Sequence, residues 1–208
     1  MYHEKNDDKR QRGLNCRIGL CVSNRINRQI GDLKETKMEV RIKKLSTAEE
    51  IKQFWKKKRE YERKDVFPNL EESGEELQEI INWFNSQEYY DIIMGLSSEA
   101  KGGGDPLQFV FFYDEKQNYL GFTMYKIYIQ EDGKAFILDY CIAPSFRNKG
   151  IGKLVFKKLE ELLYLEGGKY VALNASNKNN RRFWQQNGFE ATVLDENDEL
   201  VYVKRAIG

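Results

Sequence analysis

Residues 135–164 read AFILDYCIAPSFRNKGIGKLVFKKLEELLY, which limits the chain to folds where a buried strand hands over to a helix through a glycine-bearing turn. From Phe136 to Ile142 the residues are mostly apolar, β-branched or aromatic. Pro144, which cannot donate to a strand ladder, ends the run. Ile151, Leu154, Val155, Leu159, Leu162 and Leu163 recur at the spacing of one helical face. Gly150 and Gly152 fall where the first helical turn begins. A residue without a side chain lets a ligand approach the backbone. The unpartnered N–H groups and the dipole of a helix start suit a phosphate, and Arg147 and Lys149 add positive charge there.

Two common phosphate loops do not fit this turn. A P-loop has four residues between its glycines and then Lys-Ser or Lys-Thr, whereas here Ile151 alone separates Gly150 from Gly152, and Lys153 precedes Leu154. The dinucleotide fingerprint needs a third small residue where this chain has Val155. Arg147 to Gly152 does resemble the pyrophosphate loop of the GNAT family of N-acetyltransferases: Arg or Gln, two residues, Gly, one residue, Gly or Ala. Downstream, KYVALNASNKNNRRFWQQNGF, from Lys169 to Phe189, is similar to the segment that follows in that family. Tyr170 to Leu173 supplies its strand, Asn177 its asparagine, Phe183 and Trp184 an aromatic pair on a short helix, and Gly188 and Phe189 the helix end. The resemblance covers residues 38–208 as a single N-acetyltransferase domain.

The resemblance implies an α/β fold with a mixed, mostly antiparallel sheet and helices on both faces. It also implies acetyl-coenzyme A as co-substrate, with no metal. Its pyrophosphate would lie over Arg147, Asn148, Lys149, Gly150, Ile151, Gly152 and Lys153. Its pantetheine arm would follow the bulged strand past Cys141 and Ile142, with Asn177, Phe183 and Trp184 completing the site. The acceptor is expected to be an amine of a small molecule or peptide, attacked directly in a ternary complex. An alkyl ammonium, with a pKa of about 10.4, must first lose a proton. Asp139 and Tyr140 on the cofactor strand are the candidates for that step, with Glu60 behind them. The family's usual tyrosine acid is replaced by Trp184, whose indole cannot serve, so Tyr140, Tyr202 or solvent takes that role. A nucleophilic Cys141 is the lesser route, there being no histidine to activate it. A coenzyme A-binding module without catalysis is the alternative function.

Composition narrows the rest. The chain has 208 residues, 13% of them aromatic and 40% hydrophobic, which suits one domain with a substantial core. Residues 1–37 carry a net charge of +4 and the remainder −3, so the body offers no basic surface for nucleic acid. Cys16, Cys21 and Cys141 lack metal-ligand spacing, which predicts a reducing cytoplasm. With His3 as the sole histidine, histidine-dependent hydrolases are excluded. No apolar run approaches a membrane span. A homodimer is left open.

Residues 1–37 lack periodicity and are expected to be a poorly structured or non-native extension. Lys34-Glu35 can be encoded by a bacterial ribosome-binding sequence, which predicts translation from Met38. The expected order from there is a strand, two helices, three strands in a meander, then helix, strand, helix and a closing hairpin. Ser46 and Thr47 before Glu49 and Glu50 suggest a capping box on the first helix. The run Lys56 to Arg59 reads as a solvated face, Asp65 to Asn69 as a loop, and Glu75 to Phe84 as the second helix. Tyr61, Phe67, Tyr89 and Tyr90 read as acceptor-pocket lining or as core. The glycine-rich stretch 97–106 reads as a flexible connection rather than a phosphate cradle.

Overall fold

A computed structural model describes residues 38–98, 104–175, 178–195 and 199–205. Seven strands form one sheet in the order β1-β2-β3-β4-β5-β7-β6. They are β1 (Arg41–Lys44), β2 (Gln108–Tyr113), β3 (Tyr119–Tyr128), β4 (Lys134–Ile142), β5 (Tyr170–Asn174), β6 (Glu190–Leu194) and β7 (Leu200–Arg205). Every pairing is antiparallel except β4 with β5. The short connections within β2–β3–β4 and β6–β7 demand hairpins, and the helix after Gly150 supplies the crossover that lets β5 lie parallel to β4. The expected mixed sheet and its meander are therefore present.

The helices are α1 (Ala48–Tyr61), α2 (Gly74–Phe84), α3 (Gln87–Ser98), α4 (Ile151–Leu165) and α5 (Lys178–Gln186). Helices α1 to α3 cover one face through Phe54, Trp55, Phe84, Tyr89 and Ile93, against Phe109, Phe111, Phe122 and Met124. Helices α4 and α5 cover the other through Val155, Phe156, Leu159 and Trp184, against Val110, Phe112, Tyr140 and Ile142. Alternate strand residues thus feed opposite cores, as the pleat requires. The capping box forms as expected: Glu50 N–H donates to Thr47 Oγ1 at 3.3 Å, and Glu50 Oε2 accepts from the Thr47 N–H at 3.0 Å.

Three local expectations are corrected. Helix α3 was not anticipated; it occupies residues where apolar side chains run almost all round and Gly95 weakens the helical signal. The stretch read as a loop from Asp65 to Asn69 continues α1 as a π-helical turn, Glu62–Val66, followed by a 3-10 turn, Phe67–Asn69. Finally, Lys58 does not belong to a solvated face. Lys56, Lys57 and Arg59 are exposed, but Lys58 is 1% exposed and lies between Glu62 and Asp139. Its Nζ contacts Glu62 Oε1 and stands 3.1 Å from Asp139 Oδ2, with the rings of Tyr89 and Phe84 at 5.3 and 5.5 Å. Tyr61, Phe67 and Tyr89 are core residues; of the glycine-rich connection, Ser97 and Ser98 end α3 and residues 99–103 lie outside the described residues.

Burial alone would pull the Lys58 ammonium below its ordinary value, but Asp139 and Glu62 outweigh it and hold it well above. Burial raises the Asp139 carboxyl, opposed by Lys58. A charge out of water is tolerated only with partners, and removing one partner of a buried pair costs about 3–5 kcal/mol. Lys58→Met is therefore expected to lower unfolding stability by about that amount in urea titrations. Neutralising the whole group, as Lys58→Met with Glu62→Gln and Asp139→Asn, recovers most of it. A loss below about 0.5 kcal/mol for the single variant, the usual value for a surface residue, contradicts the buried placement.

Candidate functional site

The site begins at an irregularity in β4. Opposite Met124 and Tyr125 of β3 stand Asp139 and Ile137, so Leu138 is an extra, bulged residue. The bulge shifts the side-chain phase. Leu138 joins the core under α1 and Asp139 meets Lys58 of that helix, while Ile137, Tyr140 and Ile142 face α4. Strand β4 pairs with β5 only at Lys134, Ala135 and Phe136; beyond that β5 no longer accompanies it.

An edge of backbone groups is left without a β5 partner in consequence. The Ala143 N–H donates to the Leu120 carbonyl of β3 at 2.8 Å. Neighbouring residues of an antiparallel strand point their N–H and C=O in opposite directions. Tyr140 and Ile142 thus turn theirs away from β3, toward the opening β5 has left, whereas those of Cys141 face β3. The Ile142 carbonyl there accepts a hydrogen bond from Arg147 Nε at 2.6 Å.

The chain then passes through a 3-10 turn, Pro144–Phe146, into the glycine loop and α4. Asn148 at φ 59° and Gly150 at φ 76° take left-handed conformations that bend the loop back over the helix start. Among the described residues no side chain caps α4, so its first N–H groups are open to a ligand. A Cβ on Gly150 would meet nothing within 4 Å, whereas one on Gly152 would come within 3.2 Å of the Phe183 ring. The loop borders a cleft of about 400 Å³ lined by Ile142, Arg147, Asn148, Gly150, Gly152, Lys153, Phe183, Gln186 and Asn187. Uncapped amides, lysine charge, an open glycine and an apolar wall fit a pyrophosphate carrying an extended amide arm.

The residues proposed from sequence separate into two groups. Ile142, Arg147, Asn148, Gly150, Gly152, Lys153 and Phe183 converge on the cleft, with Lys149 and Ile151 between them in the same loop. Lys149 donates to the Ser145 carbonyl at 2.9 Å. Asn177 lies outside the described residues. Trp184 does not reach the cleft: it is fully buried among Tyr140, Phe156, Phe183 and Phe189. Gln186 and Asn187 were missed, although they follow Phe183 at i+3 and i+4 and so share its side of the helix.

Of the catalytic candidates, Asp139, Tyr140, Cys141 and Tyr202 are buried in the framework. Asp139 is ion-paired with Lys58, and the Tyr140 hydroxyl donates to the Gly152 carbonyl at 2.7 Å from within the core. Tyr202 is buried on β7 among the α4-side residues. Cys141 is buried, and burial pushes its thiol up to about 12 even with Arg147 nearby. Such a group is not a nucleophile at neutral pH. Glu60 on α1 pairs with Lys64 at 2.7 Å on the surface.

Arg147 does not aim its guanidinium at the loop. It forms a two-pronged pair with Asp65 of the π-helical turn, Nη1 to Oδ1 at 3.0 Å and Nη2 to Oδ2 at 2.5 Å. The two residues stand 82 apart in sequence.

Comparison with known proteins bears on this geometry. The sequence matches the family model of the acetyltransferase (GNAT) family over residues 71–189. Comparison with curated proteins gives no match. Among solved structures, the PaiA N-acetyltransferase of Thermoplasma acidophilum, in complex with coenzyme A, is similar. Its identity is 21% and its TM-score 0.58, with 81% of this chain and all of that one covered. A GNAT-family acetyltransferase of Staphylococcus aureus is also similar, at 14% identity and a TM-score of 0.51, covering 80% and 99% of the two chains. An N-acetylglutamate synthase of Neisseria gonorrhoeae, complexed with coenzyme A and N-acetyl-glutamate, has the same identity and TM-score. There the match covers 80% of this chain but 35% of that one. These likenesses agree with the fold described above. With the family model spanning more than half of its length, the chain belongs to the GNAT acetyltransferase family, enzymes that take their acetyl group from acetyl-coenzyme A.

Proposed function

We propose that the protein transfers the acetyl group of acetyl-coenzyme A to a primary amine of a small molecule or protein, by direct attack in a ternary complex. The observation that carries this reading is the uncapped start of α4 facing a cleft beside the unpaired edge of β4. On this reading the amides of Gly150, Ile151, Gly152 and Lys153 hold the pyrophosphate, and the pantetheine arm bonds the Tyr140–Ile142 edge. A backbone N–H of that edge polarises the thioester carbonyl and holds the negative charge that forms as the amine attacks. Cys141 takes no covalent part.

Acid–base chemistry follows from what the framework has already claimed. Asp139, Tyr140 and Tyr202 are buried, so the amine gives its proton to water at the mouth of the cleft. The leaving thiolate is a weak enough base to depart without a dedicated acid. Localisation in the cytoplasm belongs to the same proposal. Among the described residues no helix is long and apolar enough to cross a membrane.

The direct test incubates the protein with acetyl-coenzyme A and a panel of primary amines and follows release of the free thiol. Release should depend on the amine. Gly150→Glu, which sets a carboxylate against the pyrophosphate, should raise KM for acetyl-coenzyme A about a hundred-fold or more. Amine-independent release, or an unimpaired variant, contradicts the proposal. With the best acceptor, kcat/KM should rise with pH toward that amine's own pKa of about 10. A plateau beginning near pH 6–7 would instead reveal a base on the enzyme.

A further inference from the structure

The sequence places the charge of Arg147 at the pyrophosphate loop, but three of its contacts point elsewhere. Its Nη1 and Nη2 meet both oxygens of Asp65, and its Nε meets the Ile142 carbonyl. The Arg147 and Asp65 side chains are 12% and 14% exposed. A planar guanidinium paired in this way is fixed in direction as well as position. Asp65 is itself held on a firm base. It sits in the π-helical turn Glu62–Val66, which begins at Glu62 in contact with buried Lys58. Lys58 in turn is paired with Asp139 on β4.

We propose that Asp65 is a positioning residue for coenzyme A binding, acting through Arg147. The carboxylate neutralises the guanidinium and aims its Nε at the Ile142 carbonyl. That contact joins the end of β4 to the loop five residues on and fixes the path from Ile142 to Gly152 on which the amide cradle depends. Arg147 is thereby a strut of the loop, and the phosphates are left to the α4 amides and lysine charge. The inference rests on the assignment of the pyrophosphate to this loop.

The opposite reading, with Arg147 as a phosphate ligand restrained by Asp65, reverses the sign of one measurement. Titration calorimetry of coenzyme A into the full chain gives affinity and stoichiometry separately. Misfolded protein lowers the stoichiometry, whereas a misplaced loop lowers the affinity. Asp65→Asn is expected to weaken binding about ten-fold at unchanged stoichiometry, the low end of what a charged hydrogen bond is worth. Asp65→Glu, which keeps a carboxylate opposite the guanidinium, should recover most of it. Arg147→Lys should weaken binding to a similar extent, and the double variant Asp65→Asn/Arg147→Lys should lose little more than either alone, because both act through one contact. Tighter or unchanged binding in Asp65→Asn overturns the inference, as does a loss appearing only in stoichiometry. Gly150→Glu run alongside separates the two failures. If it abolishes binding while Asp65→Asn changes nothing, the inference falls and the loop assignment stands. If neither variant affects binding, the assignment falls and takes the inference with it.

Discussion

Among the described residues, strand β4 has no partner on its β5 side beyond Phe136, and the site follows from that. Buried backbone N–H and C=O groups need hydrogen-bond partners, so a sheet that opens must satisfy the opened edge by other means. Arg147 meets the Ile142 carbonyl and Phe183 brings an apolar wall beside it. The remaining edge, at Tyr140 and Ile142, is what an extended amide-bearing ligand can complete as an added strand would. The bulge at Leu138 sets the phase so that Tyr140 braces the glycine loop from below while Asp139 points to the opposite core.

Two ionic clusters then tie α1 and the turn after it to this strand. Lys58 with Glu62 and Asp139 fastens the body of the helix, and Asp65 with Arg147 fastens the turn to the loop. Such groups are expensive to desolvate, and aliphatic packing of equal volume could be as stable. Their advantage here is directional: hydrogen-bonded charges fix orientation, which packing does loosely. The same arrangement occupies the groups that catalysis could otherwise use, which is why Asp139 serves better as an anchor than as a base.

Much of this was legible in the sequence because it is written locally. The apolar run from Phe136 to Ile142, the apolar face from Ile151 to Leu163 and the spacing of Arg147, Gly150 and Gly152 each report on neighbours within a few residues. So does Thr47 with Glu50. What escaped is long-range or ambiguous. Lys58 sits in a basic run indistinguishable from a solvated face, because its two carboxylate partners come from the next turn and from a strand far along the chain. The pairing of Arg147 with Asp65 joins residues 82 apart in sequence. Phe183 and Trp184 look like one aromatic pair, yet adjacent residues on a helix point about 100° apart. One lines the cleft and the other fills the core.

The central claim is that the opened edge of β4 and the uncapped start of α4 together form the coenzyme A site. A crystal structure of the full chain with coenzyme A tests it most directly. The account expects pyrophosphate oxygens within about 2.7–3.2 Å of amide nitrogens among Gly150 to Lys153, with pantetheine amides paired to Tyr140 and Ile142. Coenzyme A bound elsewhere on the chain, with the α4 start and the β4 edge both left to solvent, would contradict it.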